Sequence, residues 1–211
     1  MKGAFITFEG GEGCGKSTQI RRFAERLRAE GADVVLTREP GGTRLAELVR
    51  GLLKDERQDP PVDRAELLLF LAARAQLVRN VIRPALARGA WVVSDRFSDS
   101  TFAYQGYGRG LPLNELRLMN DFAAEGLKPD LTILLEAPPA ALRARLAARA
   151  AASGEAADRI ERAGEEFHER LRQGFLELSR LEPTRFRVLD ATETEDEVAA
   201  AVWAAFCAFR G

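Results

Sequence analysis

Cysteine and histidine are nearly missing from this chain: Cys14 and Cys207 are the two cysteines and His168 the one histidine among 211 residues. Two cysteines without ligand spacing make neither a disulfide framework nor a zinc site, and suit a reducing compartment. His168, within EEFHERL, has no partner at ligand spacing, so a structural or surface role is expected of it. Long apolar runs are absent too. Nothing approaches the roughly 20 consecutive apolar residues of a membrane span, and the apolar run in MKGAFITFEGGEG is too short for a signal peptide. A soluble, cytoplasmic protein without a membrane partner is expected. Nor does one sign of charge dominate: 31 basic and 32 acidic residues leave a net charge of -1. That gives no global footprint for nucleic acid, so any anion recognition must be local.

What the sequence does contain is alternation. Continuous apolar runs at 4 to 9, 32 to 38, 91 to 95, 131 to 136 and 186 to 190 read as strands buried on both faces. Between them lie helical patterns near 16 to 30, 43 to 54, 63 to 88, 113 to 125, 139 to 150, 159 to 181 and 194 to 209. Strand, crossover and strand in that order imply an α/β fold with a doubly wound parallel sheet in one domain. The segment ARAAASGEAADR (148 to 159) is small and polar, a mobile lid or a surface loop.

FEGGEGCGKST (8 to 18) is the most informative stretch. Gly10, Gly15, Lys16 and Ser17 satisfy G-x-x-x-x-G-K-[ST] at a strand-to-helix junction. Such a loop wraps N–H groups around a phosphate and aims the helix N-terminus at it. Lys16 then reaches the outer phosphate oxygens and Ser17 serves a Mg²⁺ ion. No N-K-x-D guanine reader is present, which argues against a GTPase.

An acceptor side is legible as well. Asp95-Arg96 closes the third strand at the carboxyl edge, where open α/β sheets bind ligands, and Arg38-Glu39 repeats the arrangement on the second. Local salt bridges are the plain alternative. Phe70 and Arg74, four apart, share a helix face: a stacking ring with a planar donor, or a core phenylalanine with a surface arginine. Ser100, Thr101, Tyr104 and Gln105 follow at near-helical spacing, as sugar and base contacts or as a helix cap.

FEGGEGCGKST, TREPGGT, LLLFLAARAQ, SDRFSDSTFAYQG, PDLTILLE, DRIE with FHERLRQGF, and LDAT stand in an order and spacing that resembles the thymidylate kinase (dTMP kinase) family of P-loop nucleoside monophosphate kinases. The resemblance implies a P-loop NTP-hydrolase-type three-layer fold, with a five-stranded parallel sheet, helices on both faces and a short lid. It implies a single domain over 1–211, with the P-loop at 10–17 and the lid at about 143–159. The implied reaction is ATP- and Mg²⁺-dependent phosphorylation of dTMP to dTDP for dTTP synthesis, by direct in-line transfer in a homodimer.

Carried over by similarity, Gly10, Gly11, Glu12, Gly13, Cys14, Gly15, Lys16, Ser17 and Thr18 surround ATP, and Ser17 and Asp95 serve the metal. Arg38 and Arg96 hold the dTMP phosphate, while Glu12 faces the sugar and Tyr104 lies against the deoxyribose. Phe70 stacks on thymine, Arg74 bonds its carbonyl, and Ser100, Thr101 and Gln105 complete the contacts. Lys16, Asp95, Arg96, Arg149 and Arg159 form the implied catalytic set. Gly11, Glu12, Gly13 and Cys14 include no basic residue, so the arginine meeting the transferred phosphoryl is expected in the lid. Arg149 and Arg159 come first there, then Arg143 and Arg145.

Overall fold

The strand β1 (Phe5–Glu9) is buried at every position, which requires neighbours on both edges and cover on both faces. In the computed structural model, which describes residues 3–55, 59–153 and 162–211, it has both. The sheet order is β2-β3-β1-β4-β5, with β2 Val34–Arg38, β3 Trp91–Asp95, β4 Leu131–Glu136 and β5 Phe186–Asp190, and every described pairing is parallel. The register pairs Phe8 with Asp95, so Glu9 and Arg96 leave the sheet together at its carboxyl edge.

The two faces of β1 sort the helices. Ile6 and Phe8 join Phe23 and Leu27 of α1 (Lys16–Ala29) and Val202 and Phe206 of α9 (Glu195–Arg210). Phe5 packs instead with Leu77, Val78, Ile82 and Ala85. Thr7 is the polar exception: its hydroxyl bonds that of Thr132 at 2.8 Å, and Arg185 spans Thr132 and Asp99 at 2.6 and 2.7 Å. A buried polar group is tolerated here because it is partnered.

The expected strands all appear within two residues of their sequence limits, and so do α1, α2 (Arg44–Lys54), α6 (Leu113–Ala123) and α9. Three expected helices differ. The continuous helix over 63 to 88 is α3 (Asp63–Leu77), a π-helical turn (Val78–Ile82) and α4 (Arg83–Ala87). Pro84 accounts for the break: it lacks an N–H, its ring crowds the carbonyl four residues back, and a wider turn relieves both. Next, α7 (Pro139–Ser153) runs three residues beyond its expected end. The helix expected from 159 begins, among the described residues, at Glu165 as α8 (Glu165–Leu181).

The near-helical spacing after Asp95-Arg96 is a real element: α5 (Ser98–Thr101) running into a π-helical stretch, Phe102–Gly108. Its glycines and polar residues give it little intrinsic helix propensity. Packing against α8 holds it. A Cβ on Gly174 would sit 2.7 Å from the Tyr107 ring, so the two elements approach as closely as backbone allows.

Candidate active site

At the carboxyl edge of the sheet one cleft of about 820 Å³ joins the P-loop to the acceptor-side residues. Its floor is the β1–α1 junction. Gly10 has φ 137°, and a Cβ there would run into the Leu135 carbonyl oxygen; Gly15, at φ 88°, turns the chain into α1 without a capping side chain. The first N–H groups of α1 therefore face the cleft with no acidic residue in the first turn, an arrangement suited to an anion. Lys16 Nζ folds back on the loop, donating to the carbonyls of Gly10 at 3.2 Å and Gly11 at 3.1 Å. Cys14 is buried in the core beneath it, a small filler.

Ser17 and Asp95 meet beside the loop: the serine hydroxyl donates to Asp95 Oδ2 at 3.4 Å, while Asp95 Oδ1 is buried without a partner. An orphaned buried carboxylate oxygen next to a hydroxyl is a donor set that suits a hard divalent cation, which takes few protein oxygens and completes its shell with phosphates and water.

Arg96 follows in the left-handed region at φ 72°, a conformation that costs a non-glycine residue about 1–2 kcal/mol. The strained turn aims the guanidinium inward. It donates to the Gly10 carbonyl at 2.9 Å, Ser100 Oγ at 3.0 Å and Glu12 Oε1 at 2.7 Å, and lies 4.9 Å from the Tyr104 ring centre. Burial works against both charges of the Arg96–Glu12 pair, yet each holds the other charged. Arg96 and Lys16 bring the Glu12 carboxyl down to about 2, and Glu12 is the leading influence raising Arg96. Glu9 lies beneath, accepting from the Phe97 N–H at 2.8 Å and Ser100 Oγ at 2.6 Å. Its carboxyl is pushed up to about 8 by burial and by Asp99.

On the acceptor side Phe70, Arg74, Thr101, Tyr104 and Gln105 line the same cleft. Phe70 is half-buried and Arg74 is 1% exposed, which reverses the plain alternative of a core phenylalanine with a surface arginine. Arg74 is the largest fully buried side chain of the described residues, and three partners offset that burial. Nε and Nη2 go to Glu39, and Nη1 goes to Thr101 Oγ1 and Asn120. Arg38 is exposed on the rim, ion-paired to Glu47 at 3.0 Å.

The lid arginines separate. Arg149 lines the cleft. Arg145 also lines it but donates to the Ala191 carbonyl at 2.6 Å, and Arg143 pairs with Glu165 at 2.8 Å without lining the cleft. Arg159 lies outside the described residues.

Sequence reasoning missed Glu9, Glu66, Asn120, Arg50 and Arg162. Arg50 and Arg162 line the cleft; the other three sit behind it as hydrogen-bond partners of Ser100, Gln105 and Arg74. Glu66 was within reach, because Glu66, Phe70 and Arg74 at four-residue spacing share one face of α3. Asn120 comes from a distant helix and left no such signal.

A family model described as thymidylate kinase matches residues 8–202. The chain belongs to the thymidylate kinase family. It is 51% identical over 201 residues to the thymidylate kinase of Solidesulfovibrio magneticus, covering 94% of this chain and 96% of that one. With the thymidylate kinase of Deinococcus radiodurans it shares 51% over 205 residues, 97% of this chain and 96% of the relative. The crystal structure of thymidylate kinase from Ehrlichia chaffeensis superposes with a TM-score of 0.79 at 33% identity, covering 98% of this chain and 99% of that one. The thymidylate kinase fold, a five-stranded parallel sheet flanked by helices, is thus the fold of this chain, and the chain is a nucleoside monophosphate kinase, a phosphotransferase.

Proposed function

We propose that this thymidylate kinase transfers the terminal phosphoryl group of ATP to dTMP, giving dTDP and ADP, by direct in-line displacement within one domain. The observation that carries the reading is the single cleft that joins the P-loop to Arg96, Phe70, Arg74 and Gln105. Donor and acceptor phosphates meet where Arg96 and Ser17 flank Glu12 and Asp95. The acceptor is itself an ionised phosphate, so no strong general base is required; alignment and charge stabilisation supply the catalysis.

In this reading the loop N–H groups and Lys16 bind the ATP phosphates, with Gly11, Gly13, Cys14, Gly15 and Thr18 forming the cradle. Arg38 and Arg96 hold the dTMP phosphate, and Phe70 stacks on the base. Arg74, Ser100, Thr101 and Gln105 orient the acceptor, and Glu12 with Tyr104 borders its sugar. Ser17 and Asp95 are the residues that would hold Mg²⁺, which when bound neutralises phosphate charge. A lid over about 143–159 excludes water and brings an arginine, Arg149 or Arg159, to the transferred group. Support for Arg149 is its place on the cleft wall.

ADP release measured with ATP and Mg²⁺ against dTMP, dUMP, UMP, CMP, AMP and GMP tests the proposal. Strong preference for dTMP is expected. Preference for another nucleotide overturns the acceptor assignment, and folded protein without acceptor-dependent turnover overturns the reaction.

A further inference from the structure

Arg74 and Gln105 have most of their hydrogen-bonding capacity already committed, and what remains has a definite polarity. Arg74 carries five N–H groups. Nε donates to Glu39 at 2.9 Å, Nη1 donates to Thr101 Oγ1 at 2.9 Å and to Asn120 Oδ1, and one Nη2 hydrogen goes to Glu39. One Nη2 hydrogen is left on a side chain that lines the cleft, and it is a donor.

Gln105 leaves the opposite. The two ends of an amide are told apart by their partners. Its inner neighbour is Glu66, 1% exposed and held by Arg109 at 3.1 and 3.2 Å, a carboxylate that offers acceptors alone. Gln105 Nε2 therefore turns inward, donating to Glu66 Oε1 at 3.0 Å. The carbonyl oxygen is the end left for the cleft, and among the described residues nothing donates to it.

We infer that Glu66 is a specificity-determining positioning residue: from behind the cleft it fixes an acceptor at Gln105, beside the donor that Arg74 presents in any pairing and that Glu39 holds in place. The pair fits a base edge with a carbonyl oxygen beside a ring N–H, as in thymine or uracil. It rejects the mirrored edge of cytosine, an amino group beside an unprotonated ring nitrogen, because like groups then face each other. The inference rests on the acceptor reading above and adds to it which residue sets the polarity. Neither carboxylate touches the nucleotide; each acts through the side chain it holds.

The test is the ratio of kcat/KM for dTMP to that for dCMP in wild type, Glu66→Gln and Arg109→Lys. A glutamine at 66 offers both N–H and C=O, so the Gln105 amide turns either way. The ratio is expected to fall by at least about tenfold, with KM for ATP unchanged. Arg109→Lys gives up the two-bonded pairing but keeps a cation beside the buried carboxylate, so the ratio is expected to stay within about threefold of wild type. An unchanged ratio in Glu66→Gln, or an equal fall in Arg109→Lys, overturns the inference while dTMP kinase activity stands. Failure of wild type to prefer dTMP over dCMP overturns the acceptor reading itself, and the inference with it.

Should Glu66→Gln not fold, the wild-type protein answers by nitrogen-15 NMR. The Gln105 side-chain amide protons, assigned by their loss in Gln105→Leu, are expected to be protected from exchange before any nucleotide is added. Protection that appears only with dTMP overturns the inference.

Discussion

The energetics of the site turn on a few charges at the end of β1. Glu12 and Arg96 hold each other ionised across the P-loop, whereas Glu9, one turn of chain away, is pushed to the neutral side by burial and by Asp99. The folded state therefore binds a proton at Glu9 more tightly than the unfolded chain, whose glutamate titrates near 4.5. Its contribution to stability is fully present below that value and is lost as pH rises toward about 8. Urea titrations from pH 5 to 9 are expected to show this decline in wild type and a flatter profile in Glu9→Gln. The opposite sign holds for Glu12, whose contribution is present above 4.5 and lost as pH falls through about 2, so it adds no slope over that range. Arg149 is the residue on which turnover is expected to depend without acceptor affinity. Arg149→Ala is expected to lower kcat by about 10²-fold or more with the dTMP KM nearly unchanged, and Arg159→Ala provides the comparison. Near wild-type turnover in both variants overturns the lid assignment.

Among the elements, the segment Ser98–Gly108 links packing to recognition. It turns Ser100, Thr101 and Gln105 to the cleft and packs against α8, with Tyr104 reaching both the cleft and the rings of Phe167 and Phe175. Gly174→Val places methyl groups where the Tyr107 ring stands, and such overpacking costs about 1–3 kcal/mol. The melting temperature is expected to fall by several degrees and the dTMP KM to rise while the ATP KM holds, because α1 and the P-loop lie on other elements. An equal rise in both constants counts against the segment as the acceptor platform. This element also marks the limit of what sequence shows. The strands were legible because β1, β3 and β4 are continuous apolar runs, and the P-loop because its chemistry fixes spacing. The π-helical stretch was not, since its conformation comes from contact with α8 rather than from propensity. The break at 78–82 was foreshadowed by Pro84 alone. Most of the polar residues expected at the site and found lining the cleft sat in motifs, whereas Glu9 and Asn120 reach it only through other side chains and carry no spacing of their own.

At the scale of the molecule, the surface is uneven. Helix α2 packs Ala46 and Val49 against Ala73 of α3, yet its other side leaves Leu45, Leu48 and Leu52 between 45% and 63% exposed. Leu68 of α3 and Leu118 and Phe122 of α6 are exposed as well, and α3 packs between α2 and α6. Apolar side chains concentrated on three adjacent helices mark an interaction surface better than singly scattered ones. A two-fold pairing of this chain through α2, α3 and α6 covers them, provided it buries about 800 Å² per partner, the size of a stable interface. Light scattering at micromolar concentration is expected to give twice the chain mass of 23.2 kDa. Leu48→Glu, which puts a charge of one sign into the apolar face of both partners, is expected to bring it down to the single-chain value without unfolding the protein, because Leu48 is 63% exposed in one chain. The face lies on the α2–α3 side, and α3 also carries Phe70, Arg74 and Glu66. Loss of the partner is therefore expected to raise the dTMP KM more than the ATP KM, and a monomeric wild-type mass removes the proposal of a homodimer.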